Sequence, residues 1–346
     1  MPECGTQCWL CDMPIRYDTY KGCSHGCKYC FVQRNGKTDL RDIKKGETTK
    51  PLIEWINGKR VANTRWCDWD MPIHWGGMSD PFQPCEAIHK MSYKALEVFA
   101  ETKYPFVVST KGKIVADEEY LELFDKCNCV IQISAVCSSY DKLEEGCPTF
   151  EERVKIMRKV APHCKRLIVR IQPYMCEVFD EVYENLEKFK EAGAYGVIIE
   201  GMKFAKKKDG LIKVAGDYTY PLEQITKDII KLKERAHELG LAFFSGENRT
   251  RKLGDSLCCC GCDGLDGFKT NNVNINHIVH GDIVEPTEKM KEVGSAHCFQ
   301  SLYQNTLASK RIMNESYIEE TMYLLTHKTK MVEETFGVKL KNGKTK

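Results

Sequence analysis

Three cysteines stand at C-x3-C-x2-C spacing in Lys21-Gly22-Cys23-Ser24-His25-Gly26-Cys27-Lys28-Tyr29-Cys30-Phe31. Thiolates at this spacing suit three corners of a cubane iron-sulfur cluster, whose irons are normally held by four. The fourth iron is then open to a small molecule that offers an amino and a carboxylate group. A C-x2-C pair also suits half of a zinc site, so a zinc knuckle stays open on this segment alone.

Cys4, Cys8 and Cys11 repeat the same spacing upstream, and Cys258-Cys259-Cys260-Gly261-Cys262-Asp263-Gly264 stands far downstream. The later triplet is the better cluster loop, because a strand candidate precedes it and Gly26, Tyr29 and Phe31 accompany it. N-terminal thiolates with one or more from the downstream turn would complete an auxiliary four-thiolate [4Fe-4S] cluster or a structural zinc. Reduced thiols buried as small apolar groups are the alternative.

The glycine before the second cysteine and the aromatics Tyr29 and Phe31 around the third resemble the radical SAM superfamily. With Ser79-Asp80-Pro81-Phe82-Gln83-Pro84-Cys85-Glu86 and Thr110-Lys111, the string is similar to its spore photoproduct lyase-like, or DNA-repair-photolyase-like, branch over residues 12–173. The resemblance implies an enzyme that binds S-adenosylmethionine (SAM) at a [4Fe-4S] cluster and cleaves it reductively to a 5′-deoxyadenosyl radical for hydrogen abstraction. It implies Ser79 near the amino end of SAM, Asp80 shaping that loop, Lys111 toward the carboxylate, and Ser134 near the ribose and carboxylate, with Tyr29 and Phe31 beside the cofactor. One departure matters. The lyase has a hydrogen-returning cysteine two residues before the serine, where this chain has Gly77, so the lyase's own thymine reaction is not expected.

Such residues need strand ends to hold them. Short β-rich runs at residues 14–20, 72–78, 105–109, 130–136, 166–174, 195–200 and 241–245 alternate with segments of helical period, such as Phe179, Val182, Tyr183, Leu186 and Phe189. This is the pattern of parallel βαβ units. The expected fold is α/β, a partial (βα)6-type radical SAM barrel over residues 13–246. A Cys-rich segment (1–12) precedes it; a C-terminal extension (247–338) with the Cys-rich turn and a closing helix over 315–336 follows, and then a disordered tail (339–346). Reactive groups in such barrels gather at the carboxyl ends of the strands, and the second set of cysteines is expected to lie across that mouth. In Leu167-Ile168-Val169-Arg170-Ile171-Gln172 the alternation turns Arg170 inward, to meet a bound carboxylate or Glu200. Cys85 and Cys176 follow strand ends and are candidate hydrogen-atom donors, whereas Cys147 and other isolated cysteines read as core.

The chain has 346 residues, 19 cysteines and a formal net charge of +2. No apolar run approaches the roughly eighteen residues of a membrane span, and Cys4, Cys8 and Cys11 occupy the place of a signal peptide's apolar core. A soluble, cytoplasmic protein with thiolates on metal is therefore expected, with no membrane partner. The charge neither demands nor excludes nucleic acid. Lys203, Lys206, Lys207 and Lys208, and the run Asn248-Arg249-Thr250-Arg251-Lys252, are candidate phosphate-binding loops. The resemblance implies a nucleic-acid base or nucleotide as the expected substrate, and a donor such as flavodoxin or ferredoxin as the expected source of the electron. A radical SAM enzyme modifying a peptide or small molecule with an auxiliary cluster is the second reading, and a zinc-binding, non-catalytic interaction protein the third.

Overall fold

The computed structural model describes residues 2–4, 10–34, 44–45, 49–282, 284–293, 316–341 and 344–345. Eight strands form one sheet in chain order: β1 (Glu3–Cys4), β2 (Ile15–Tyr17), β3 (Ile73–Trp75), β4 (Phe106–Thr110), β5 (Cys129–Ser134), β6 (Arg166–Tyr174), β7 (Gly196–Gly201) and β8 (Ala242–Ser245). β1 runs antiparallel to β2, and all other neighbours are parallel. The expected partial barrel is there, extended by the seventh parallel strand β8.

Parallel neighbours require long crossovers, and helices supply them: α1 (Thr49–Ile56), α2 (Met91–Thr102), α3 (Glu118–Phe124), α4 (Phe150–Val160), α5 (Phe179–Glu191) and α6 (Leu222–Glu238). A capping box starts α4, where Thr149 Oγ1 accepts from Glu152 N at 3.3 Å and the Glu152 carboxylate accepts from Thr149 N at 2.7 Å. Each cap of this kind stabilises a helix start by about 1 kcal/mol.

Side chains alternate across each strand. Phe106, Val108, Ile131, Ile133, Val169, Val197 and Phe243 join the large core shared with the helices. Val107, Val130, Ile168, Ile198 and Phe244 point the other way and pack inside the barrel with Met13, Cys11, Cys258, Cys260 and Cys262. The Cys-rich turn thus enters the barrel itself. Arg166, the first residue of β6, donates to the carbonyls of Gly261 at 3.0 Å and Asp263 at 2.7 Å, which places the turn at the amino ends of the strands. The expectation that it lies across the mouth is corrected: the interior there is apolar, and a turn of small, apolar thiols fills it.

The extension is stitched to the N-terminal segment by asparagines. Asn276 donates to the Leu10 carbonyl at 2.7 Å, Asn274 to Asp12 at 3.0 Å, and His277 pairs with Asp12 at 2.9 Å. The closing helix is two, α7 (Tyr317–His327) and α8 (Thr329–Phe336), broken at Lys328, whose φ and ψ are not helical. Where a disordered tail is expected, Leu340–Lys341 pairs with Lys344–Thr345. Among the described residues no helix is long and apolar enough to cross a membrane.

Candidate active site

The cysteine loop leaves the carboxyl end of β2 and lies against the loops that follow β3 and β5. Gly22 and Gly26 take φ of 87° and 62°, which glycine adopts without the Cβ penalty. Gln83, fully buried, clamps the loop from the β3 side: its Oε1 accepts from Ser24 N at 2.9 Å and its Nε2 donates to the Gly22 carbonyl at 3.0 Å. His25 ties it from two directions, with Nε2 3.1 Å from Asp80 and Nδ1 3.0 Å from the Gly146 carbonyl. Gly146 has no alternative, since a Cβ there would lie 2.5 Å from the His25 carbonyl oxygen.

Asp80 is the hub of the β3 loop. It accepts from Phe82 N at 2.9 Å, Thr110 Oγ1 at 2.6 Å and Lys111 N at 2.7 Å. Burial works against its charge, but His25 and these donors outweigh it and hold the carboxyl below its usual range. His25 is raised in turn: burial alone would lower it, and the Asp80 carboxylate overcomes that. Ser79 Oγ donates to the Tyr20 carbonyl at 2.7 Å and sits 3.3 Å from Asp18. Ser79 and Asp80 thus share this loop, and Ser79 spends its hydroxyl on protein.

Cys23, Cys27 and Cys30 are all half-buried at this end of the barrel. Cys27 Sγ lies 3.7 Å from Cys147 Sγ, a contact not anticipated from sequence, where Cys147 reads as core. The Cys147 thiol is the main influence holding Cys27 down to about 6, against burial and with help from Lys111. Burial and the Asp80 charge push Cys23 up to about 12. Lys111 itself stands 3.9 Å from Glu144 and over the Tyr29 ring at 5.9 Å. Glu144 also accepts from the Tyr29 hydroxyl and pairs at 2.5 Å with Arg153, which is wholly buried and donates to the Ser134 carbonyl at 2.9 Å. Glu144 and Arg153 were not singled out from sequence, because a lone acid in a loop and a lone base on a helix carry no local signal. Ser134 ends β5 beside this pair, while Phe31 is 50% exposed.

Below the loop a chain of polar groups crosses the barrel. His74 Nε2 is 2.9 Å from Ser109 Oγ, which donates to Gln132 Oε1 at 2.8 Å. Arg170 donates to both, at 3.1 and 2.9 Å, and to Gln172, whose amide donates to Glu200 at 2.6 Å. Arg170 therefore reaches Glu200 through Gln172 and not directly, and Glu200 takes its cation from Lys203 at 3.0 Å.

Several expected site residues lie elsewhere. Cys176, two residues past the end of β6, hydrogen-bonds Asp228 on α6 and packs against the core shared with the helices. Cys85 begins the short helix Glu86–His89, its thiol pushed up to about 11 by burial and Glu86. Arg249 and Arg251 are buried: Arg249 pairs with Glu247 at 2.9 Å and Arg251 donates to the Gly246 carbonyl at 3.3 Å, so neither forms an exposed basic loop. Of the upstream cysteines, Cys11 meets the Cys258–Cys262 turn, Cys4 is buried beside Asn63, and Cys8 lies outside the described residues. At Gly77 a Cβ would meet Arg16 Cδ at 3.1 Å, so the space of the lyase's cysteine is partly taken.

No family model matches the chain. An uncharacterized protein of Mycobacterium tuberculosis is 22% identical over 206 residues, covering 55% of this chain and 59% of the relative. An uncharacterized protein of Mycobacterium bovis matches to the same extent, and the chain spans less than two thirds of the length of either. Among solved structures, a spore photoproduct lyase mutant with bound AdoMet and dinucleoside spore photoproduct superposes with a TM-score of 0.56 at 15% identity, over 67% of this chain and 76% of that one. Another mutant of the lyase gives 0.56 at 16% identity over the same shares. The chain has the partial-barrel fold of the spore photoproduct lyase-like radical SAM proteins.

Proposed function

We propose that this chain is a radical SAM enzyme whose SAM cluster is held by Cys23, Cys27 and Cys30. The observation that carries this is the loop itself: three half-buried thiols, one held as a thiolate near neutral pH, braced by Gln83, His25 and Asp80 at the carboxyl end of a parallel barrel. Among the described residues no three or more Cys, His, Asp or Glu side chains surround a single ion. A cubane makes no such demand, because each cysteine takes a separate iron.

When bound, a [4Fe-4S] cluster at these thiols supplies one electron that cleaves SAM to methionine and a 5′-deoxyadenosyl radical. The protein's part is to position and to exclude. The Lys111 charge acts on Cys27, which suits this lysine to a carboxylate there, and Glu144 keeps it oriented while idle. Ser79 and Ser134 bracket the same opening from β3 and β5. Arg170, Gln172 and Glu200 form the polar floor on which a substrate would rest.

The substrate reading is a nucleic-acid base or nucleotide. A spore photoproduct lyase of this fold binds a dinucleoside spore photoproduct, and Lys206, Lys207 and Lys208 are exposed after β7. The internal use of Arg249 and Arg251 removes two of the expected phosphate contacts and favours a second reading, a peptide or small molecule. The electron donor is of the flavodoxin or ferredoxin class.

Anaerobic reconstitution tests the proposal. The protein should take up about four irons per cluster and form 5′-deoxyadenosine under dithionite, and Cys30→Ala should lose both. A reconstituted protein that stays colourless and leaves SAM intact would end this reading.

A further inference from the structure

Cys147 meets the cluster loop from outside it. Its Sγ lies 3.7 Å from Cys27 Sγ, and both residues are half-buried, within reach of a small solute. The backbones hold the two together independently of their sulfurs. Lys28 N donates to the Leu143 carbonyl at 2.9 Å, and Lys28 Nζ reaches the Lys142 carbonyl at 2.9 Å and Glu145 at 2.6 Å. On the other side of Cys27, His25 Nδ1 lies 3.0 Å from the Gly146 carbonyl, and a Cβ on Gly146 would stand 3.0 Å from His25 Cα. Cys147 N in turn donates to the Glu144 carbonyl at 2.8 Å, which closes the turn that presents its thiol. We propose that Cys27 and Cys147 form an oxidation site of the cluster-free chain, in which Cys147 resolves peroxide-oxidised Cys27 as a reversible disulfide.

A disulfide holds its sulfurs about 2.05 Å apart. From 3.7 Å this is an approach of roughly 1.7 Å, which the two side chains make by turning on backbones that stay in place. Cys258 and Cys262 are as close, at 3.6 Å, but both are buried and shut off from a solute. A peroxide oxygen passes to the Cys27 sulfur, giving a sulfenic acid and one water. Cys147 then attacks that sulfur: the S–S bond forms, the S–O bond breaks, and the hydroxyl leaves with the Cys147 proton as a second water. Two thiols are oxidised and one peroxide is reduced. A sulfenic acid without such a neighbour goes on to sulfinic and sulfonic acids, which thiol reductants do not restore, whereas a disulfide is reopened by thiol exchange. The benefit to the cluster rests on the reading that Cys27 is one of its three ligands. While Cys27 Sγ binds iron it cannot pair, so the disulfide belongs to the cluster-free chain and keeps that ligand recoverable.

The full chain, purified without iron, is treated with hydrogen peroxide, alkylated, and mapped by mass spectrometry before and after dithiothreitol. A peptide pair joined through Cys27 and Cys147 is expected, and dithiothreitol should return most of Cys27 as free thiol. Cys147→Ser, a near-isosteric change at a half-buried position, should leave Cys27 as sulfinic or sulfonic acid and lower the recovered thiol severalfold at the same peroxide dose. The joined peptides of the unaltered chain decide the pairing whether or not the variant folds. Cys27 joined mainly to Cys23 or Cys30, no link to Cys147, or equal recovery of the Cys27 thiol in the parent and the folded variant would overturn the proposal. Neither measurement needs iron or SAM, so a chain that pairs these cysteines yet leaves SAM intact on reconstitution would end the cluster reading and leave the disulfide standing.

Discussion

Lys111 and Asp18 show how single side chains at the mouth divide between ligand and scaffold. Among the described residues Lys111 pairs with one acid, Glu144 at 3.9 Å, too long for a good hydrogen bond, and so keeps donors for an incoming carboxylate. Lys111→Met should raise the KM for SAM about tenfold, the equivalent of about 1.4 kcal/mol, while cluster iron is unchanged; an unchanged KM would assign the carboxylate to another group. Asp18, at the end of β2, is raised from 3.8 to about 6 by burial, against the amides of Met78 and Ser79 that donate to it at 3.0 Å each. A carboxyl raised in the folded state binds more protons there than when unfolded, so its contribution is full below about 3.8 and is lost as pH rises through about 6. Stability of the protein should therefore fall between those limits, and Asp18→Asn should flatten that part of the urea-unfolding profile. A slope that survives the substitution would move its cause to another carboxyl.

The β3 loop and the helix that follows it behave as one brace. Glu86, wholly buried, accepts from Tyr120 Oη at 2.6 Å, Ser92 N at 2.9 Å, Tyr93 N at 2.8 Å and the Tyr20 hydroxyl. Glu86→Ala leaves four donors without this acceptor, and each buried orphan costs about 1–3 kcal/mol, so a loss of about 4 kcal/mol is expected in chemical denaturation. Retention of nearly full stability would show that water replaces the carboxylate. Elements like this were partly legible beforehand. Ser79 to Glu86 stood out as a string, and the seven strands followed from β-rich runs between helical periods. The partners were not legible, because Tyr20, Tyr120 and Arg153 approach from distant positions and a lone residue of these types has no local signature. The single closing helix expected over 315–336 is broken at Lys328, whose neighbours Thr326, His327 and Thr329 are weak helix formers.

Across the molecule, two ends of one barrel are given different tasks. The carboxyl end holds the accessible cysteine loop, and the amino end is closed by a thiol turn bound to the N-terminal segment. Gly261 is the pivot of that closure: its φ is +73° and it lies against Ile168 and Phe244. Gly261→Ala combines an unfavourable backbone conformation with overpacking, at roughly 1–3 kcal/mol for the latter. It should lower the melting temperature by several degrees and, by unseating the turn, expose thiols to alkylation; a variant as stable and as protected as the parent would mean that the floor is looser than its contacts imply.

Chemical identity and order were readable along the chain, because thiol spacing and hydrophobic period are local: the Cys23, Cys27 and Cys30 loop, its strand, and the alternation that makes a parallel barrel. Tertiary packing alone decided that Cys11 meets Cys258 to Cys262 at the floor and not the mouth, that Cys147 touches Cys27, that Cys176 faces α6, and that Arg249 and Arg251 are spent inside. The physical reason is burial. A cysteine or arginine looks the same in sequence whether it faces water, metal or core, and only the packing of distant elements settles which of these it meets.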